Sequence, residues 1–207
     1  MKKTVLLTLV VLLAPLVLAQ NSTLHNYTWK SRTQVEMGGE VKSVVLEQVR
    51  TDASGQVQKT PLSAPPAAPS QRGPVRRRLA QRKTERTKEW MQGLQATLAP
   101  YQSLPPEKLK AFAEGATKQP VGDGLVQLQG RGLVQPDDQV VLTVEMVSHQ
   151  PRKMQVKTTY DGSPVELQVE LSAIAPNVTA PMKVVTTVPD DGLNITTDNY
   201  DYQQLRN

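Results

Sequence analysis

The sequence predicts an α+β fold: a curved antiparallel sheet of about eight to nine strands in two meanders, with two helices inserted between them. Segments on both flanks of the chain alternate apolar and polar residues with a period of two, the mark of strands that bury one face. The middle is rich in helix formers and is set off by prolines. Turn dipeptides such as Asp161-Gly162 and Asp191-Gly192 sit between alternating runs, where they signal hairpins.

The chain opens on a leader. Lys2 and Lys3 precede an apolar run from Thr4 to Leu18, and Val17-Leu18-Ala19 supplies the residues a signal peptidase reads. Residues 1–19 are therefore expected to be cleaved near Ala19, which places the protein in the periplasm or outside the cell. A retained anchor is the rival reading, but the run is shorter than the roughly 20 residues a bilayer span requires. No other stretch is apolar enough to span, so the mature chain is expected to carry no transmembrane segment.

An N-terminal β-meander follows over residues 20–62. In "YTWKSRTQVE" Tyr27, Trp29 and Val35 share one side while Lys30, Arg32 and Glu36 share the other. Gly38-Gly39 allows a turn into "VKSVVLEQVR", and Asp52-Ala53-Ser54-Gly55 allows a second before the run at Val57 to Leu62. Residues 63–74 hold four prolines and read as an extended linker or loop.

Residues 75–117 read as helical. The first helix runs from Val75 to about Ala99 and stops before Pro100; the second covers Ser103 to Ala116, with two prolines in its opening turn and Gly115 as a candidate C-terminal cap. Trp90, Met91, Leu94 and Leu98 form one apolar stripe, and Leu109, Phe112 and Ala113 another. The C-terminal meander spans 121–207. Its run "QVVLTVEMVS" is apolar on both sides, whereas Met154, Val156 and Tyr160, then Val165, Leu167, Val169 and Leu171, each define one face. Residues 20–207 are expected to form one domain.

A one-faced sheet must cover its apolar side, and the helices and the early meander are the available cover. A curled sheet under few helices leaves room for an apolar cleft; a fully packed core is the plainer alternative. Aromatics are 4% of residues, so the core must be aliphatic. On chemistry alone Tyr27, Trp29, Trp90, Phe112 and Tyr160 are candidate ligand-binding residues.

The stretch "RGPVRRRLAQRKTERTKEW" packs eight basic residues against two acids, and the whole chain carries a formal charge of +5. Arg76, Arg77, Arg78, Arg82 and Lys83 are candidate polyanion contacts, with a solvated helix face as the plain alternative. For an exported protein the polyanion is an anionic envelope surface; nucleic acid is not expected, because stacking aromatics and docking motifs are missing from the stretch.

Catalytic constellations do not emerge. There are zero cysteines, which removes thiol nucleophiles, disulfides and cysteine-based metal sites. His25 and His149 stand apart from acidic metal-ligand spacing. Asp137-Asp138 and Asp190-Asp191 lie beside Pro or Gly where Asp serves turns. Asp198, Asn199 and Asp201 follow no calcium-loop spacing. Four Asn-x-Ser/Thr triplets, at Asn21, Asn26, Asn177 and Asn194, fit chance in a chain rich in these residues. No phosphate loop, GxSxG or HExxH is present, so no catalytic, cofactor-binding or metal residue is assigned and the protein is expected not to be an enzyme.

"NYTWKSRTQVEMGGEVKSVVLEQVR", "GQVQKTPLSAPP", "RGPVRRRLAQRKTERTKEWM" and "TTVPDDGLNITTDNYDY" resemble a family of exported bacterial proteins. At the level of architecture the chain is similar to the lipoprotein-carrier superfamily typified by LolA, LolB and RseB. That resemblance implies a carrier with an apolar cavity and a lipid or lipoprotein as partner. It departs from the carriers in having no amphipathic helix ahead of the first strand. The function expected is a non-enzymatic exported binding or carrier-like protein that takes a lipid, acyl chain or lipoprotein on the concave face of its sheet. The alternative is an envelope interaction module working through the basic helix, and a carboxylate hydrolase is a third reading.

Overall fold

In the computed structural model, residues 24–52, 54, 56–62, 74–102, 104–176 and 178–205 are described, from the backbone alone at 74–84, 102 and 106. Residues 1–19, expected to be a leader, the proline-rich stretch from 63 to 73, and Asn21 and Asn177 lie outside the described residues.

Alternation does build the strands. β1 (Tyr27–Met37) buries Tyr27, Trp29, Ser31, Thr33 and Val35 in strict succession. β2 (Glu40–Thr51) and β3 (Val57–Pro61) follow, and two helices, α1 (Pro74–Gln102) and α2 (Pro106–Gly115), come next. The chain then returns through β4 (Thr117–Gly122), β5 (Leu125–Arg131), β6 (Gln139–Glu145), β7 (Pro151–Tyr160), β8 (Ser163–Ala175), β9 (Val178–Val188) and β10 (Leu193–Gln204).

All ten strands form one antiparallel sheet in the order β3-β2-β1-β10-β9-β8-β7-β6-β5-β4. The two meanders are thus a single sheet, joined where β1 pairs with β10 from Tyr27↔Gln204 to Met37↔Leu193. The order makes β3 and β4 the two free edges. They flank the helical insertion in sequence, so the chain leaves one edge and re-enters at the opposite one with α1 and α2 between. The helices consequently lie across the inner face. Leu94, Leu98 and Tyr101 of α1 and Phe112 of α2 share one core with Val35 of β1, Leu128 of β5, Val140 and Leu142 of β6, Val165 and Val169 of β8, and Ile195 of β10. Strands from both halves meet the same helices, which is the curvature the sequence predicts.

Three local readings are revised. β4 raises the strand number to ten and starts the C-terminal meander at Thr117, inside the stretch read as helical. Its sequence TKQPVG lacks an apolar face and all six residues are exposed, so only backbone pairing with β5 holds it. Pro120 is tolerated because an edge strand has one unpaired side. α1 does not stop before Pro100 but runs through it to Gln102. The buried Tyr101 holds that last turn in place, as shown below. α2 ends with Gly115 still helical, and Ala116 closes it in an extended conformation, φ −77° and ψ 147°, its N–H bonded to the Phe112 carbonyl.

Two glycines let the helices approach the sheet. A Cβ on Gly93 of α1 would fall 1.9 Å from the Tyr160 hydroxyl, and one on Gly130 of β5 would fall 2.7 Å from the Phe112 ring. Removing that atom brings α1 onto β7 and α2 onto β5.

Candidate functional site

A helix of 10 residues is about 15 Å long and covers only part of the face beneath it. α2 points Leu109 and the small Ala113 toward the side chains of β5, β6 and β7, and the space left between them is a cavity of about 750 Å³. Val126 and Leu128, Leu142 and Val144, and Met154 form its sheet wall, one or two from each successive strand. Leu104, Pro151, Leu171 and Thr179 close its sides. The mouth carries Lys110, Lys118, Met146 and His149, all exposed. The volume lies within the range of ligand sites, and the inner lining is aliphatic with one thioether and one hydroxyl. Such a wall binds by removing apolar surface from water, about 25 cal/mol per Å². No carboxylate lines it, so it offers no acid–base pair.

A second cavity of about 440 Å³ lies on the opposite flank of α2, against Phe112, Lys108, Gly130 and Arg131.

The five aromatic candidates are placed elsewhere than in the aliphatic cavity. Tyr27 and Trp29 belong to a separate core cluster with Leu24, Val49 and Ala180. Trp29 is fully buried and stacks on Tyr202, ring centroids 5.4 Å apart. The Tyr202 hydroxyl donates to the Pro181 carbonyl at 2.7 Å, and burial pushes its pKa upward. Trp90 meets Tyr160 edge to face at 5.5 Å and joins α1 to the end of β7. Phe112 fills the notch at Gly130 and walls the second cavity. The side chains of Arg76, Arg77, Arg78, Arg82 and Lys83 lie outside the described residues, on the first part of α1.

A buried carboxylate ties the end of α1 to the β5–β6 connection. Asp138, in the β5–β6 connection, accepts the backbone N–H groups of Leu133 at 2.9 Å, Val134 at 2.8 Å and Gln135 at 3.0 Å. The Tyr101 hydroxyl at the end of α1 donates to it at 2.9 Å. Burial works to raise the Asp138 pKa, but the three N–H donors and the hydroxyl outweigh it and hold the carboxyl below its usual range. Burial pushes the Tyr101 hydroxyl up to about 12. This aspartate is a structural staple, in keeping with the turn role its sequence context assigns. Asp198 and Asp201 form surface pairs with Arg32 and Lys30. Among the described residues no cluster of His, Asp and Glu could hold a metal ion.

Beyond β9 a polar band crosses the inner face between Trp29 and Val35 of β1. Across β2, β1 and β10 the register sets Glu47, Ser31 and Asn199 side by side. Asn199 donates to the Pro181 carbonyl at 3.1 Å, and Pro181 pairs with Leu171 of the cavity wall. Trp29 Nε1, Ser31 Oγ, Lys59 Nζ and Asn199 Oδ1 are buried without a hydrogen-bond partner. Burial, the larger effect, pushes the Lys59 amine down to about 8 against the opposing pull of Glu47.

No protein-family model matches the chain, and no curated protein matches its sequence. Among solved structures it is similar to a LolA superfamily protein from Nitrosomonas europaea, at 13% identity, over 89% of this chain and 87% of the other, with a TM-score of 0.41.

The cavity lining was partly marked in the sequence. Leu109 and Ala113 stand on the stripe assigned to the second helix, and "QVVLTVEMVS", apolar on both sides, supplies Leu142, Val144 and Met146. These three stand two residues apart on one side of the run, so the period of two is the signal.

Proposed function

We propose that this protein is a non-enzymatic, exported carrier-type binding protein that holds an acyl chain or comparable apolar ligand between α2 and the inner face of the sheet. The observation that carries the reading is the aliphatic cavity of about 750 Å³, open at a mouth and free of acid–base pairs. The apolar run from Thr4 to Leu18 behind Lys2 and Lys3 supports a periplasmic or extracellular address. Among the described residues no helix is long and apolar enough to cross a membrane.

Filling the cavity tests the proposal. Ala113→Trp projects an indole into empty space and should lower affinity for a fluorescent fatty acid by about tenfold or more. It should leave thermal stability nearly unchanged, since overpacking costs arise where space is already filled. Ala111→Trp, on the opposite flank of α2, should leave fatty-acid binding intact. Equal binding by wild type and Ala113→Trp would refute the site, and no binding by the wild-type protein would refute the function.

A further inference from the structure

The cavity mouth is built from two hairpin tips that lean on each other. The β6–β7 turn meets the β4–β5 turn through the Met146 N–H, which donates to the Gly124 carbonyl at 2.8 Å. From this joint rim three aliphatic side chains project into solvent: Val147 is 88% exposed, Met146 56% and Val121 43%. Leaving such side chains exposed on adjacent tips forgoes burial that the fold uses elsewhere.

The charges around the rim can be traced. Lys110 of α2 and Lys118 of β4 stand at the mouth beside His149. Glu145 is neutralised by Arg152 and also accepts from the Ser148 hydroxyl. Asp123 sits at the tip of the β4–β5 turn. The mouth itself therefore presents two lysines, against the single carboxylate of Asp123, next to projecting aliphatics. Tryptophan, tyrosine and an unpaired arginine, the usual anchors of a protein interface, are missing from these two turns. Short aliphatic tips flanked by lysines suit a bilayer surface, where apolar groups enter the acyl boundary and ammonium groups meet anionic headgroups.

We infer that the rim formed by Val121, Met146 and Val147, with Lys110 and Lys118, is a docking surface for an anionic lipid bilayer, which it meets with the cavity mouth toward the membrane. The inference rests on the carrier reading: docking by the mouth lets an acyl chain pass between bilayer and cavity without crossing water.

The test is flotation of the protein, in the form its own cells accumulate, with phosphatidylcholine vesicles and with vesicles that also contain phosphatidylglycerol. Each sample is paired with fatty-acid binding in the absence of vesicles. The wild type should float preferentially with the phosphatidylglycerol vesicles, and added salt should weaken the preference. Val147→Asp and Val121→Asp, which change residues outside the cavity wall, should each reduce vesicle partitioning by about tenfold or more while fatty-acid binding stays at the wild-type level. If Val147→Asp floats as well as the wild type, the rim is not the contact. If the wild type binds fatty acid but does not float, the membrane is not its partner, and the rim serves a protein with an apolar groove. Loss of both activities in the wild type would remove the carrier reading together with this one.

Discussion

Asp138 and Lys59 are both buried charges, and the fold treats them in opposite ways. Asp138 has four donors directed at it, so its carboxylate is stabilised in the folded state. Asp138→Ala leaves three backbone N–H groups and a hydroxyl without their acceptor and should cost about 2–4 kcal/mol, read from denaturant unfolding. Its folded pKa is lowered, so its contribution is complete above the ordinary carboxylate range and is lost as pH falls through the depressed value. Asp138→Asn should therefore flatten the acid limb of the stability profile. Lys59 has a folded pKa of about 8, below that of a free amine, so the unfolded chain binds the extra proton. The fold accordingly gains stability as pH rises from about 8 toward 10, and Lys59→Met should remove that gain in a thermal-melt series. The sequence showed Asp138 as a turn aspartate beside Pro136. That Tyr101 would reach it was not legible, because the pair spans the α1–β6 separation and depends on how the helix lands on the sheet.

Elements were legible where one face is buried and illegible where none is. β1, β7 and β8 bury alternate residues as their patterns require. β4, exposed at every position, exists through its backbone and could not be found by hydropathy. The aromatic candidates were chosen for chemistry, but Trp29 on Tyr202 and Trp90 on Tyr160 pin elements together, and aliphatics line the cavity. Aromatic residues are scarce in this chain, so the fold spends them on long-range contacts. How α2 seats on β5 can be tested at Gly130. A methyl there would stand 2.7 Å from the Phe112 ring. Gly130→Ala should destabilise the protein by about 1–3 kcal/mol through overpacking. It should also weaken fatty-acid binding, since α2 carries one wall of the cavity. Unchanged stability and binding would show that Phe112 moves aside freely.

Across the whole molecule, topology links the architecture to the proposed activity. One sheet with its edges bridged by a helical insertion has an inner face that is covered by few residues. α1 fills the part beneath its stripe of Leu94, Leu98 and Tyr101, and the shorter α2 leaves the rest open as the cavity. The general α+β plan followed from the order of periodic segments, strands then helices then strands. The pairing of β1 with β10 did not, because it joins the two ends of the described chain and has no local signature. The proposed function requires that the cavity carry an acyl-bearing or comparable apolar ligand. Native mass spectrometry of the protein isolated from its own cells, followed by solvent extraction and analysis of whatever is released, tests this most directly. A stoichiometric lipidic adduct that Ala113→Trp diminishes is the expected result. A ligand-free mass, together with failure to take up a fatty-acid probe, would contradict it.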